Sequence, residues 1–304
     1  MSADLPPSID PRAAQRWARH MHAASPWLHE EIGRRMHERL QWIRLQPRTW
    51  VDWEPLRGGL QAHDAVARTY AGATRWIVEP TAPRRQAVEK ALQAPWWRPA
   101  RWSAPALRFG EPQPASADMV WANMALHMAA DPRALLGQWH RMLAHDGFLM
   151  FSCLGPDTLV QLRAAYRAMG WPEPAHVFTD MHDWGDMLVA AGYAEPVMDM
   201  ERLTLTYASP QRLLEELRGL GRNLQPHRFP GLRGRRWKAQ LWQALAGLGD
   251  GPAGDGPLAL TFEVVYGHAL KPQPRLPVQG ETVLSLDDMR RVLQQGKRDP
   301  AQSR

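Results

Sequence analysis

Strand-like and helix-like segments alternate through the middle of this chain, and no other feature restricts its fold as strongly. From Thr49 the sequence reads "TWVDW", then the helical "LQAHDAVARTY", then "TRWIVE" ending on Glu79. After a stretch rich in proline and tryptophan come "ADMVWANM", a strand, the helical "DPRALLGQWHRMLAHDG", and the apolar strand "GFLMFSCL". Strands separated by single helices of this length predict a parallel sheet with helices covering it. Further on, "TDMHDWGDMLVAAGY" reads as a short helix capped by Thr179 or Asp180 and stopped at Gly192. "ERLTLTYAS" alternates like a strand, "SPQRLLEELRGLG" starts a helix behind Ser209 and Pro210, and "LALTFEVVYGHAL" is the last strand.

The flanks look different. Residues 11 to 45 read as two helices broken near Ser25 and Pro26, with Ser25 capping the second and Trp27, Leu28, Ile32, Met36 and Leu40 at helical spacing. Residues 246 to 257 hold several glycines and two prolines, a flexible connection. From Lys271 the chain is proline-rich and offers one small helix, "SLDDMRRVLQQG", in a loosely held tail. We divide the chain into an N-terminal helical cover (1–45), an α/β domain (46–272) with a helical lid at about 208–257, and a tail (273–304).

At 304 residues the chain can bury a substantial core, and its 44% hydrophobic and 22% charged residues are ordinary globular values. The lone cysteine, Cys153, lies in an apolar run and reads as a buried thiol, so no internal disulfide is expected. No stretch of about 18 apolar residues occurs, and the N-terminus has no cleavable apolar core; the cytoplasm is the expected compartment, with no membrane contact. A net charge of +6 suits an acidic partner. The arginines form no recognisable nucleic-acid module, and no nucleic-acid partner is expected.

The segment "VDWEPLRGGLQAHDAVARTYAGATRWIVEP", residues 51 to 80, has the outline of a nucleotide-binding βαβ unit. Asp52 closes the first strand, Gly58 and Gly59 open the following helix, and Glu79 ends the second strand 27 residues after Asp52. A carboxylate there can accept hydrogen bonds from a ribose diol. The loop itself is unusual. Trp53 and Glu54 bring bulk and charge where glycines normally allow positive φ, and Pro55 removes an N–H donor. From residues alone, a nucleoside site and a plain strand-to-helix turn both stay open.

The runs "ADMVWANMALHMAADPRALLGQWHRMLAHDGFLMFSCLGPDTLVQLR", "FTDMHDWGDMLVAAGYAEPVMDMERLTLTY", "LLEELRGLGRNL" and "LTFEVVYGHALKP" span residues 117 to 272, and "DPRAAQRWARH" precedes them. In this order they resemble class I S-adenosylmethionine-dependent methyltransferases, and among them the malonyl-acyl carrier protein O-methyltransferases of biotin synthesis. The resemblance implies a Rossmann-like seven-stranded sheet with N-terminal helices and a helical insertion before the last strand that receives the carrier protein. It implies S-adenosyl-L-methionine as cofactor and acyl carrier protein bearing a malonyl group as partner. Carried onto this chain, it puts Asp52, Glu54, Gly58, Gly59, Glu79 and Ser103 around the nucleoside. Asn123, Met124 and His127 fall beside the methionine end, and Trp17, Arg218, Arg222 and Arg228 beside the substrate. Trp17 stands in for a tyrosine usual on the first helix, and Ser103 for an aspartate usual after the third strand. "DWEPLRGG" replaces the family's alternating glycines.

Methyl transfer from a sulfonium to a carboxylate needs no general base, because the nucleophile is already ionised at neutral pH, so no catalytic residue is assigned. An arginine can grip that carboxylate with two parallel hydrogen bonds. Between Arg212 and Lys238 there are eight Lys or Arg residues and two acids, which suits an acidic carrier. The spacing of His176, Asp180, His182, Asp183 and Asp186 matches no standard metal pattern, and Asp180 reads as a helix cap. Two other readings share the fold. One is a carrier-binding protein that has lost the cofactor site; the other is a non-methylating relative such as a protein arginine hydroxylase.

Overall fold

The computed structural model describes residues 9–21, 24–92, 106–248 and 257–274. One compact unit runs to Pro272, and Gln273 begins a second; the tail helix expected from the sequence lies outside the described residues.

Seven strands form one sheet: β1 (Thr49–Trp53), β2 (Thr74–Val78), β3 (Leu107–Phe109), β4 (Ala117–Ala122), β5 (Leu143–Leu154), β6 (Ala194–Tyr207) and β7 (Leu258–Leu270). Their order is β3-β2-β1-β4-β5-β7-β6. β1 to β5 pair in parallel, and β7 alone runs against its neighbours β5 and β6. The expected Rossmann-like sheet is therefore present. Strand order reverses between β1 and β4, which places a ligand crevice beyond their carboxyl ends.

Ten helices are named here from the described residues: α1 (Pro11–Ala18), α2 (Trp27–Arg39), α3 (Pro55–Gly58), α4 (Leu60–Thr69), α5 (Ala82–Leu92), α6 (Pro132–Met142), α7 (Val160–Ala168), α8 (Met181–Ala190), α9 (Pro210–Leu220) and α10 (Arg235–Ala246). α9 and α10 lie between β6 and β7, a helical insertion before the last strand in sequence. Asp180 caps α8 through His182 N–H at 2.8 Å, and Ser209 caps α9 through Arg212 N–H at 3.3 Å. Cys153 is buried.

The sheet has a core on each face because alternate residues of β1 point opposite ways. Trp50 joins Ile32, Met36 and Val66 beneath α2 and α4, while Val51 and Trp53 join Leu136, Trp139 and Trp184 beneath α6 and α8. Three details differ from the sequence expectation. Ser25 does not cap α2, whose N-cap is Pro26; its hydroxyl instead donates to Leu56 O and accepts from Leu60 N–H, both at 3.2 Å. Trp27, at 65% exposure, leaves the stripe that buries Leu28, Ile32, Met36 and Leu40. Helix α6 stops at Met142, and "LAHDG" becomes the start of β5, where Leu143 pairs with Ala117. Strand pairing with β4 there outweighs helical propensity.

Candidate active site

The chain leaves β1 through Glu54, which adopts a left-handed conformation (φ 56°, ψ 51°) that only glycine takes without cost. This bend lets Pro55–Gly58 coil into the single turn of α3, so the family's glycine loop is here a short helix. Leu56 N–H donates to Glu79 Oε1 at 2.8 Å. On its other oxygen, Oε2, Glu79 meets Arg84 Nε at 2.8 Å. Arg84 also lies 3.2 Å from Glu54 Oε2, and Arg57 Nη2 lies 2.8 Å from the same oxygen. Two carboxyl groups and two guanidiniums thus form a buried quartet. Burial pushes the Glu79 carboxyl up to about 7, against the pull of Arg84 and the Leu56 N–H.

Asp52 points away from the crevice, to the α4 side, where His63 Nδ1 sits 2.7 Å from its Oδ2. Desolvation raises the pKa of this carboxyl. Gly58 packs beneath Asn123, whose carbonyl would lie 3.0 Å from an added Cβ. Gly59 has φ 132° and hands the chain to α4. The N-terminus of α4, a natural anion seat, is filled by the protein itself: Glu30 of α2 accepts from Gln61 N–H and Ala62 N–H at 3.1 Å. Glu30→Ala is expected to lower stability by about 1 kcal/mol, the usual worth of a cap, read as a shift in denaturation midpoint.

Beyond β4, Asn123 ties three elements together. Its Nδ2 donates to His29 O at 2.7 Å and to Gly58 O, and its Oδ1 accepts from Ser152 Oγ at 2.5 Å. Met124 is buried with φ 56°. The carbonyl of His127 accepts from His176 Nε2 at 2.9 Å. Burial holds His176 down to about 4 and His127 well below the ordinary histidine range, so both rings are neutral at pH 7. Ser103 lies outside the described residues.

Two cavities meet here. One, of about 300 Å³, lies under α1 at the ends of β1 and β4, with Trp17, Trp53, Glu54, Arg57 and Met128 on its walls. The other, of about 230 Å³, lies under α9, with apolar walls from Leu154, Leu159 and Phe262 and a polar side from His127, Arg218 and Arg222. Met128 lines both, and the Arg222 guanidinium sits 5.3 Å from the Trp17 ring centre. Arg228 is committed elsewhere, 2.7 Å from Asp10 Oδ2 at the start of α1. That hydrogen bond is the main cause of the lowered Asp10 pKa. A larger cavity of about 590 Å³, between Arg39, Trp42, Tyr266 and His268, is remote from the strand carboxyl ends. The groups not singled out from sequence are Glu30, Arg57 and Arg84. Arg84, five residues after Glu79, lies on α5, a helix not read from the sequence, and was detectable only as a cation near an acid.

The sheet order is that of the Rossmann-like methyltransferase fold. A methyltransferase-domain family model matches residues 65–151, beginning downstream of the altered loop. The YcgJ protein of Bacillus subtilis superposes with a TM-score of 0.52 at 14% identity, covering 79% of this chain and 98% of that one, a likeness of fold. A malonyl-[acyl-carrier protein] O-methyltransferase of Gallionella capsiferriformans is 38% identical over 274 residues, covering 86% of this chain and 90% of its own. One from Halorhodospira halophila is 35% identical, covering 80% of each chain. The chain belongs to the malonyl-[acyl-carrier protein] O-methyltransferase family. Among the described residues no helix is long and apolar enough to cross a membrane.

Proposed function

We propose that the protein transfers a methyl group from S-adenosyl-L-methionine to the free carboxylate of malonyl-acyl carrier protein in biotin synthesis. The observation that carries this reading is the pair of cavities divided by Met128, one bearing a buried carboxylate and guanidinium, the other apolar with two arginines at its side. The cofactor, when bound, supplies an electrophilic sulfonium methyl.

The residues present fit that group at one end. The Arg57 side chain is 4% exposed, lines the cavity, and has a buried Nη1 with no hydrogen-bond partner, a donor awaiting an acceptor. Trp17 and Trp53 add aromatic walls suited to a cationic sulfonium. At the nucleoside end Glu79 is the acid available to a ribose, and its buried side chain is held by Arg84 and the Leu56 N–H.

For the acceptor, Arg218 and Arg222 hold the carboxylate and Leu154, Leu159 and Phe262 take the acyl arm. Because His127 and His176 are neutral, the arginines are the cations the malonyl group meets in this cavity. Catalysis then consists of holding the carboxylate oxygen in line behind the methyl carbon while the apolar walls exclude water. Basic residues of the insertion favour an acidic carrier, through a term that salt screens.

The test is methylation of malonyl-carrier protein followed by mass. Arg222→Ala and Arg218→Ala should each lower kcat/KM about tenfold, the worth of one charge-assisted hydrogen bond. Wild-type protein that gives no methyl increment would end this reading. The alternative, a carrier-binding protein without methyl transfer, rests on the quartet that engages Glu79 and would show carrier binding without product.

A further inference from the structure

Where the family resemblance implies alternating glycines, this chain carries Glu54 and Arg57. Glu54 is 12% and Arg57 4% exposed, they pair at 2.8 Å, and both lie on the wall of the cavity at the end of β1. Glu54 holds a left-handed backbone conformation that a glycine would take freely, and such strain persists where the surroundings demand it. Arg57 is fixed from behind, since its carbonyl receives a hydrogen bond from His29 Nδ1 at 2.8 Å and its guanidinium lies 5.8 Å from the Trp17 ring centre. The Nη1 of Arg57 is buried and has no hydrogen-bond partner in the protein.

Charge balance restricts what can enter. With both carboxyls ionised, the quartet of Glu54, Arg57, Glu79 and Arg84 is neutral as a whole, and a lone anion or cation placed against it would leave a buried charge uncompensated. A zwitterion does not. If Arg57 turns to a carboxylate and Glu54 to an ammonium, Glu54 keeps its second partner, Arg84, and every charge stays paired.

We propose that Glu54 and Arg57 form the seat for the zwitterionic amino-acid end of the methyl donor, with Arg57 taking its carboxylate and Glu54 its ammonium. This rests on the proposed use of S-adenosyl-L-methionine and assigns Arg57 as a further binding residue. Recognition thereby moves from the ribose, whose acid is engaged by Arg84, to the other end of the ligand.

The experiment is calorimetric titration of the full chain with S-adenosylhomocysteine and with 5′-methylthioadenosine, which carries the same nucleoside and no amino acid. Wild type should bind the second at least 100-fold more weakly. Arg57→Gln should weaken S-adenosylhomocysteine at least tenfold and leave methylthioadenosine unchanged. The double variant Glu54→Gln with Arg57→Gln keeps the Arg84–Glu79 pair and a neutral cluster, which guards against misfolding, and should bind both ligands equally. Equal wild-type affinity for the two ligands, or unchanged affinity in the double variant, would overturn the seat while leaving donor use intact. Absence of any heat from wild type with S-adenosylhomocysteine at millimolar concentration would overturn donor use and the seat together.

Discussion

Arg84→Met is expected to destabilise the protein by about 3–5 kcal/mol, measured as a lowered denaturant midpoint at constant slope. The side chain is fully buried, with Nε 2.8 Å from Glu79 and Nη1 both 3.2 Å from Glu54 and 2.8 Å from Ala18 O. Its loss strands the Glu79 carboxylate with only the Leu56 N–H, and removing one partner of a buried pair costs far more than the pair is worth. Adding Glu79→Gln to Arg84→Met should recover more than half of the loss, because the stranded charge is gone. A double variant no more stable than the single one would show that the damage comes from elsewhere, such as the bond that holds the end of α1.

Gly33→Val should cost roughly 2–3 kcal/mol through overpacking. An added Cβ at this position would lie 2.5 Å from Ala62 Cβ and 2.9 Å from Asn123 Nδ2, so α2 would have to lift off α4. The Glu30 cap and the Asn123 ties would loosen with it. Gly185→Ala provides the opposite case. It sits in α8 with nothing within 4 Å of the added atom, and should stabilise by about 0.5–1 kcal/mol by removing helix-interior flexibility. If both substitutions shift the midpoint in the same direction, close α2–α4 packing is not what requires glycine at 33.

Periodicity carried the architecture because it reports burial directly. "TWVDW" and "LALTFEVVYGHAL" could be little else than strands of a covered sheet, and Asp180 and Ser209 marked helix starts by their side-chain chemistry. The strand-helix boundary at Leu143 was hidden because the segment gains its partner, Ala117, from far along the chain. The site was legible in part. Glu54 and Glu79 stood out as acids in the right loops, but the charge partners that decide their behaviour come from different elements. Arg57 is on α3, which read as a loop, and Arg84 is on α5. Asp52 shows the converse difficulty: its position at the end of β1 suggested a ligand contact, while strand alternation sends it to His63. The arginines of the insertion were visible as a basic cluster; that Arg228 serves Asp10 while Arg218 and Arg222 face a cavity is a matter of three-dimensional direction.

The hydrogen bond from Asp10 N–H to Leu224 O, at 2.9 Å, and the adjoining ion pair to Arg228 join the first helix to the segment after α9. Helix α1 roofs the compartment at β1, and α9 roofs the one beside it. Neither roof can rise alone without tearing this seam. The covers of the two compartments are therefore fastened to one another rather than independent.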